Sequence, residues 1–192
     1  RKVRLRPRKG KKKEVKVDKK CRVGRTYEDF KAYRSQDPDL PVTEIDSVEG
    51  IKGGAALLTI HFVQPKLQLS FKRERNDSRS VTDIFNSLYE TLGPDTYKKL
   101  FPLLLGDNGS EFSNPSAIET APDGSIRSRL FYCDASSPGQ KGHCENNHEM
   151  IRRITPKGRD IGQYSDEQIR LMMDHINSYG RDDLNGKSPY EV

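Results

Sequence analysis

Apolar residues in this chain gather in short runs whose period changes along its length. Residues 55–63, AALLTIHFV, are an almost unbroken apolar and β-branched run, the signal of a buried strand. Leu67, Leu69 and Phe71 alternate with polar neighbours, which predicts a second, paired strand. Ahead of them Val42–Asp46 reads as a short strand. It is entered through Asp37-Pro38 and Leu40-Pro41, where the residue before each proline is steered away from helix. The period then lengthens. Val81, Ile84, Phe85, Leu88 and Leu92 line one face of a helix, with Ser80 and Asp83 as its capping pair and Gly93-Pro94 as its stop.

Phe101–Leu105 is apolar throughout and fits a strand covered on both faces. Ile126–Cys133 predicts one more strand. Ser137-Pro138-Gly139-Gln140 has the chemistry of a helix start and predicts a helix to about Ile154, where Pro156 and Gly158 end it. A last helix covers Ser165–Ser178, capped by Ser165. Its apolar stripe is Ile169, Met172, Met173 and Ile176. Three strands joined by tight turns should be antiparallel, and a strand reached through a crossover helix should be parallel to its neighbour. The expected fold is therefore α/β: a mixed five-stranded sheet with helices on both faces.

Charge divides this picture in two. Residues 1–26 hold 14 Lys and Arg against Glu14 and Asp18, a net of +12. That leaves −6 on residues 27–192 of a chain whose total is +6. The expected organisation is a flexible basic arm over residues 1–37 and one folded body over 38–192. A polycation this dense binds DNA or RNA through phosphates, in a salt-dependent way. No apolar run approaches the ~20 residues needed to span a bilayer, and no apolar stretch follows the basic start, so no signal peptide is expected. The chain opens on Arg1, and the expectation is a piece of a longer protein. Cys21, Cys133 and Cys144 are odd in number and unspaced for pairing, which favours a reducing compartment and idle or buried thiols.

Three carboxylates stand out by position. Asp46 closes the first strand, Asp107 closes the fourth, and Glu145 sits about two turns after Pro138. Parallel neighbouring strands would set Asp46 and Asp107 side by side, at the carboxyl ends where such sheets hold ligands. Clustered carboxylates repel one another, and Mg²⁺, which prefers oxygen ligands, removes that cost. Each residue also has a plain alternative. Asp107-Asn108-Gly109 makes a good turn, Asp46 suits a local bond at a strand end, and Glu145 suits a solvated helix face. Glu145, His148, Glu149 and Arg152 share one face of the helix, with Cys144, Asn147, Ile151 and Ile154 on another. His143, Cys144 and His148 lack a second ligand pair at zinc-finger spacing. No Gly-rich phosphate loop precedes a helix, so no nucleotide cofactor is expected.

The stretches EIDSVEG, LLGDNGSEFSNP and FYCDASSPGQKGHCENNHEMIRRITPKG, with the closing HINSYGRDDLNGKSPYEV, resemble the integrase-like DDE transposases of bacterial insertion sequences. The nearest likeness is to the insertion-sequence-thirty family, from about residue 40 to 192. Gly106 and Ser47 stand where that pattern carries threonine. The resemblance implies a ribonuclease H-like fold and Asp46, Asp107 and Glu145 as catalytic and metal-binding triad, with 37 residues between the last two. It implies two Mg²⁺ or Mn²⁺ ions, phosphodiester hydrolysis at transposon ends, and strand transfer by the freed 3′-hydroxyl. Lys141, Asn146, Arg152 and Arg153 would position DNA, together with Lys11, Lys12 and Lys13 of the arm, and Asn108 would support the Asp107 loop. A cytoplasmic bacterial setting, a homo-oligomeric complex on DNA and a missing N-terminal DNA-recognition domain are further implications. The alternatives are a non-catalytic nucleic-acid-binding or assembly module and a ribonuclease H-like nuclease.

Overall fold

A computed structural model describes residues 19–135 and 137–192. Its centre is one five-stranded sheet, β1 (Val42–Glu49), β2 (Ala56–Phe62), β3 (Gln68–Arg73), β4 (Leu103–Gly106) and β5 (Arg129–Tyr132), in the order β3-β2-β1-β4-β5. β1, β2 and β3 pair antiparallel through tight turns, whereas β4 runs parallel to both β1 and β5. The parallel pairs follow from helical connections. The helices α2 (Ser78–Leu92) and α3 (Pro94–Leu100) lie between β3 and β4, and the short α4 (Pro115–Glu119) lies between β4 and β5.

One face of the sheet carries Ile45, Leu58, Ile60, Leu104, Leu130 and Tyr132, packed under Val81, Phe85 and Tyr89 of α2 and Tyr97 of α3. The other face is divided. Val48 and Leu57 pack against Ile151 of α5 (Gly142–Ile154) and against Ile169, Met172, Met173 and Ile176 of α6 (Asp166–Asn177). At the far side Val42, Leu103, Leu105 and Phe131 pack against Phe30 of α1 (Tyr27–Arg34). Between these two apolar clusters runs a polar strip, and that strip is where the candidate chemistry lies.

Four sequence expectations are corrected. The cap of α2 is Asp77, whose carboxylate accepts from Ser80 N at 2.9 Å, so Ser80 lies inside the helix. Pro138–Lys141 is a 3-10 turn in which Ser137 makes no side-chain capping bond, and the α-helix begins only at Gly142. Ile154, expected in the core, is exposed. The arm does not extend to residue 37, because α1 is folded onto the sheet: Phe30 is buried, 6.1 Å from the Phe131 ring, and Tyr33 is 5.5 Å from it. Just before α1, Arg25 accepts from Tyr132 N at 2.9 Å and pairs with Glu119 at 2.6 Å, which covers the open edge of β5. α6 starts with the expected cap: Ser165 and Gln168 close a reciprocal capping box. No helix among the described residues is long and apolar enough to cross a membrane.

Candidate active site

β1 alternates its side chains between the two faces, so Glu44 and Asp46 point to the same side as Val42 and Val48. The parallel register pairs Glu44 with Leu105, and two steps further along it Asp46 comes level with Asp107. The expectation that Asp46 closes the first strand is corrected, because β1 continues through Ser47, Val48 and Glu49 in its pairing with β2. Neighbouring strands lie about 4.8 Å apart, so Asp107, just past the end of β4, falls beside Asp46. Each has one oxygen fixed by a backbone N–H: Ser47 N donates to Asp46 Oδ1 at 2.7 Å, and Gly109 N donates to Asp107 Oδ1 at 2.8 Å. The turn at Asp107-Asn108-Gly109 is therefore present, and the charge of Asp46 acts on the same carboxylate. Asn108 Nδ2 donates to the Cys133 carbonyl at 2.6 Å, and Arg22 holds the Asn108 carbonyl at 2.7 Å, so the loop is tied to the neighbouring strand and to the segment before α1.

Lys141 closes the site from above. It is buried, with Nζ 2.9 Å from Asp46 Oδ2 and 2.8 Å from the Ile45 carbonyl. Burial works to lower its pKa, but the charges of Asp46 and Asp107 outweigh that, and the ammonium is held above its ordinary range. Asp107 moves up as well, first by burial and next by the charge of Asp46, against which Lys141 and the Gly109 bond act. In this arrangement the charge of Lys141 is engaged inside the site.

α5 is anchored at its first turn. Glu44 Oε2 accepts from Cys144 N at 2.9 Å, so a strand carboxylate caps one of the free amides at the helix N-terminus, 100 positions along the chain. Glu44 is 3% exposed and burial pushes its pKa up to about 7. Glu145, the next residue after Cys144, lies in this anchored turn; its side chain is not among those described. One turn on, His148 Nε2 is 2.9 Å from Thr59 Oγ1 and 3.2 Å from Cys144 Sγ, and its Nδ1 is 3.9 Å from Asp46 Oδ2. Burial lowers the His148 pKa, so the imidazole is neutral at neutral pH and its approach to Asp46 is a polar contact rather than an ion pair. His148, read from the sequence as sharing a helix face with Glu145, Glu149 and Arg152, turns inward to meet Cys144. Asn147 is buried, held by Gln68 Oε1 at 3.2 Å and by Arg181 at 3.0 Å.

The other expected contacts are scattered. Asn146 and Arg153 are exposed on α5, whereas Arg152 is half-buried, its Nη1 donating to the Glu49 carbonyl at 2.7 Å. Lys11, Lys12 and Lys13 lie outside the described residues. Glu111 is buried and accepts from Asn76 at 3.4 Å, a structural position. Sequence reasoning did not single out Glu44 or Thr59, and it weighed Cys144 and His148 only with His143, as zinc ligands without a second pair. The alternation of Glu44 with Asp46 in one strand was the available signal for the first.

No protein-family model matches the chain. Several transposases and integrases do resemble it. A transposase of insertion sequence element IS1086 from Cupriavidus metallidurans is 35% identical over 86 residues, 45% of this chain and 24% of the relative. The transposase InsI of element IS30C from Escherichia coli is 26% identical over 149 residues, 78% of this chain and 37% of the relative. A putative integrase of Spiroplasma virus SpV1-R8A2 B is 28% identical over 149 residues, 78% of this chain and 44% of the relative. The chain thus spans less than half the length of these relatives. Among solved structures, a chain of the simian T-cell lymphotropic virus intasome superposes with a TM-score of 0.54 at 12% identity, over 80% of this chain and 54% of that one. At that identity the likeness speaks for the fold alone, which is ribonuclease H-like.

Proposed function

The chain is a relative of the integrase-type transposases of bacterial insertion sequences, and we propose that its body is the catalytic core of a DNA transposase. One observation carries this reading: Asp46 within β1 and Asp107 just past the end of the parallel neighbour β4 fall close enough for the charge of one to act on the other, beside the start of α5, the helix that contains Glu145. Asp46, Asp107 and Glu145 are the proposed triad. The donor set suits a hard divalent cation, Mg²⁺ or Mn²⁺, because carboxylate oxygens are its preferred ligands. The place of Lys141 gives independent support, since an ammonium already rests against Asp46 and is favoured by the charge of Asp107. A bound pair of such ions would supply an activated attacking oxygen and a stabilised leaving oxygen for in-line phosphoryl transfer.

The residues of the chain do the rest. The Ser47 and Gly109 amides orient one oxygen of each aspartate before any cation arrives. Glu44 and Lys141 tie the start of α5, and with it Glu145, to the strand that bears Asp46. With Asp46 engaged by a cation, Lys141 would lose that partner and its ammonium would be available to a DNA phosphate. Asn146, Arg152 and Arg153 would line the same approach, with Lys11, Lys12 and Lys13 adding sequence-independent affinity. The substrates are transposon ends and target DNA, joined in a homo-oligomeric complex in the bacterial cytoplasm.

The test is phosphodiester cleavage and strand joining on duplexes carrying the ends of the parent element, with Mg²⁺ or Mn²⁺. Asp107→Asn should retain its far-ultraviolet circular dichroism and lose both reactions by at least about a thousandfold. An active Asp107→Asn protein removes that residue from the mechanism. DNA affinity indifferent to Mg²⁺, with no cleavage, would mark a binding module. Cleavage of an RNA–DNA hybrid, but not of DNA ends, would mark a ribonuclease H-like nuclease.

A further inference from the structure

Cys144 and His148 stand one turn apart on α5, and both turn toward Asp46. One ligand atom from each of the three residues lies within 4.8 Å of the other two. The thiol and imidazole are already in contact, Sγ to Nε2 at 3.2 Å. Thr59 holds the group in place: it faces Asp46 across the β1–β2 ladder, donates to the Asp46 carbonyl at 3.2 Å and meets His148 Nε2 at 2.9 Å. We infer that Asp46, Cys144 and His148 form a site for a borderline-soft divalent cation of the Zn²⁺ class, one that takes Asp46 away from the oxygen-ligated site of the proposed function.

The donor chemistry separates the two sites. Thiolate and imidazole favour Zn²⁺ and Co²⁺ over Mg²⁺, which needs an oxygen shell. A tetrahedral zinc with bonds of ~2.0–2.3 Å sets its donors roughly 3.2–3.7 Å apart. The observed cluster, with ligand atoms no more than 4.8 Å apart, therefore needs to close by at most roughly 1.6 Å, through rotation of the side chains. Cys144 is 1% exposed while His148 and Asp46 are partly open, so ion entry is from the Asp46 side and the fourth position falls to water. Asp46 precedes Cys144 by 98 positions, which explains why ligand spacing along the chain does not betray the site. Occupancy excludes Lys141 from Asp46 and excludes a hard cation from the same carboxylate, so a soft metal acts as an inhibitor of the Mg²⁺ or Mn²⁺ form.

The experiment is titration of the whole chain with Co²⁺ under reducing, metal-free conditions, read by the thiolate-to-cobalt charge-transfer absorption in the near ultraviolet. The expected result is saturation at one equivalent and displacement of the band by Zn²⁺. The band should persist in Cys21→Ser and Cys133→Ser and vanish in Cys144→Ser. His148→Gln should bind Co²⁺ at least about tenfold more weakly. Absence of a thiolate band in the unaltered chain, or a band that survives Cys144→Ser, overturns the inference. Where circular dichroism shows Cys144→Ser unfolded, His148→Gln decides, and unchanged Co²⁺ affinity in that variant overturns it. The inference rests on the proposed function only for the competition at Asp46. Its readout is an absorption band, so its failure leaves strand transfer untouched, and loss of strand transfer leaves the band.

Discussion

Asp46 divides its oxygens between a backbone amide and an ammonium, and Glu44, two positions earlier, gives its own to a helix amide 100 positions away. Glu44 is the most informative single residue for solution behaviour. Its folded pKa, about 7, lies above the ordinary 4.5 because burial disfavours the charged form. For an acid raised on folding, the stability it confers is full below the unfolded value and is lost as pH rises through the folded one. Metal-free protein should therefore lose stability between pH 4.5 and about 7, by on the order of 3 kcal/mol for this group, with Asp107 acting in the same sense. Urea midpoints across that window check it. Glu44→Gln, which keeps an acceptor for Cys144 N but cannot ionise, should show a visibly flatter profile than the unaltered chain. Equal slopes would remove Glu44 as the source.

Helix starts separate residues that only look like caps from those that cap. Asp77 carries the N-terminus of α2, and Asp77→Ala should cost about 1 kcal/mol in denaturant unfolding. Ser137 has the right identity but makes no capping bond, and Ser137→Ala should move stability by no more than a few tenths of a kcal/mol. α1 owes its place to tertiary packing instead. Phe30 is 4% exposed against Phe131, and Phe30→Ala should destabilise by about 3–5 kcal/mol if α1 is integral to the body. A change below ~1 kcal/mol would return α1 to the arm.

Taken as one object, the chain sets a strongly basic N-terminal segment against an acidic body. Affinity for non-specific DNA should fall steeply with salt, since each neutralised phosphate adds about 0.9 to the log–log slope. Removing residues 1–18, which carry ten Lys and Arg, should flatten most of that slope. A slope unchanged by the truncation would put the DNA surface on the body, where Arg153 and Asn146 are exposed. The strip itself joins sheet and helices through buried polar bonds, Gln68 with Asn147 and Asn177 above all. Buried polar bonds of this kind rigidify the floor beneath α5.

Periodicity alone determined five strands, the principal helices and the order in which they follow, because a two-residue or a 3.6-residue repeat is written directly in which positions are apolar. It also placed Asp107 at the end of β4, but it ended β1 at Asp46, whereas the strand continues to Glu49 through its pairing with β2. It did not reveal α1 in the basic segment, whose anchor Phe30 has its partner Phe131 far along the chain, nor the cap at Asp77, where Ser80 offers an equally good local pattern. The burial of Lys141, the reach of Glu44 to α5 and the meeting of Cys144, His148 and Asp46 were decided only by tertiary structure. Local repeats report which face of an element is apolar. Which polar groups meet across that face depends on the register between strands and the seat of a helix upon them, and these are settled by packing between distant segments.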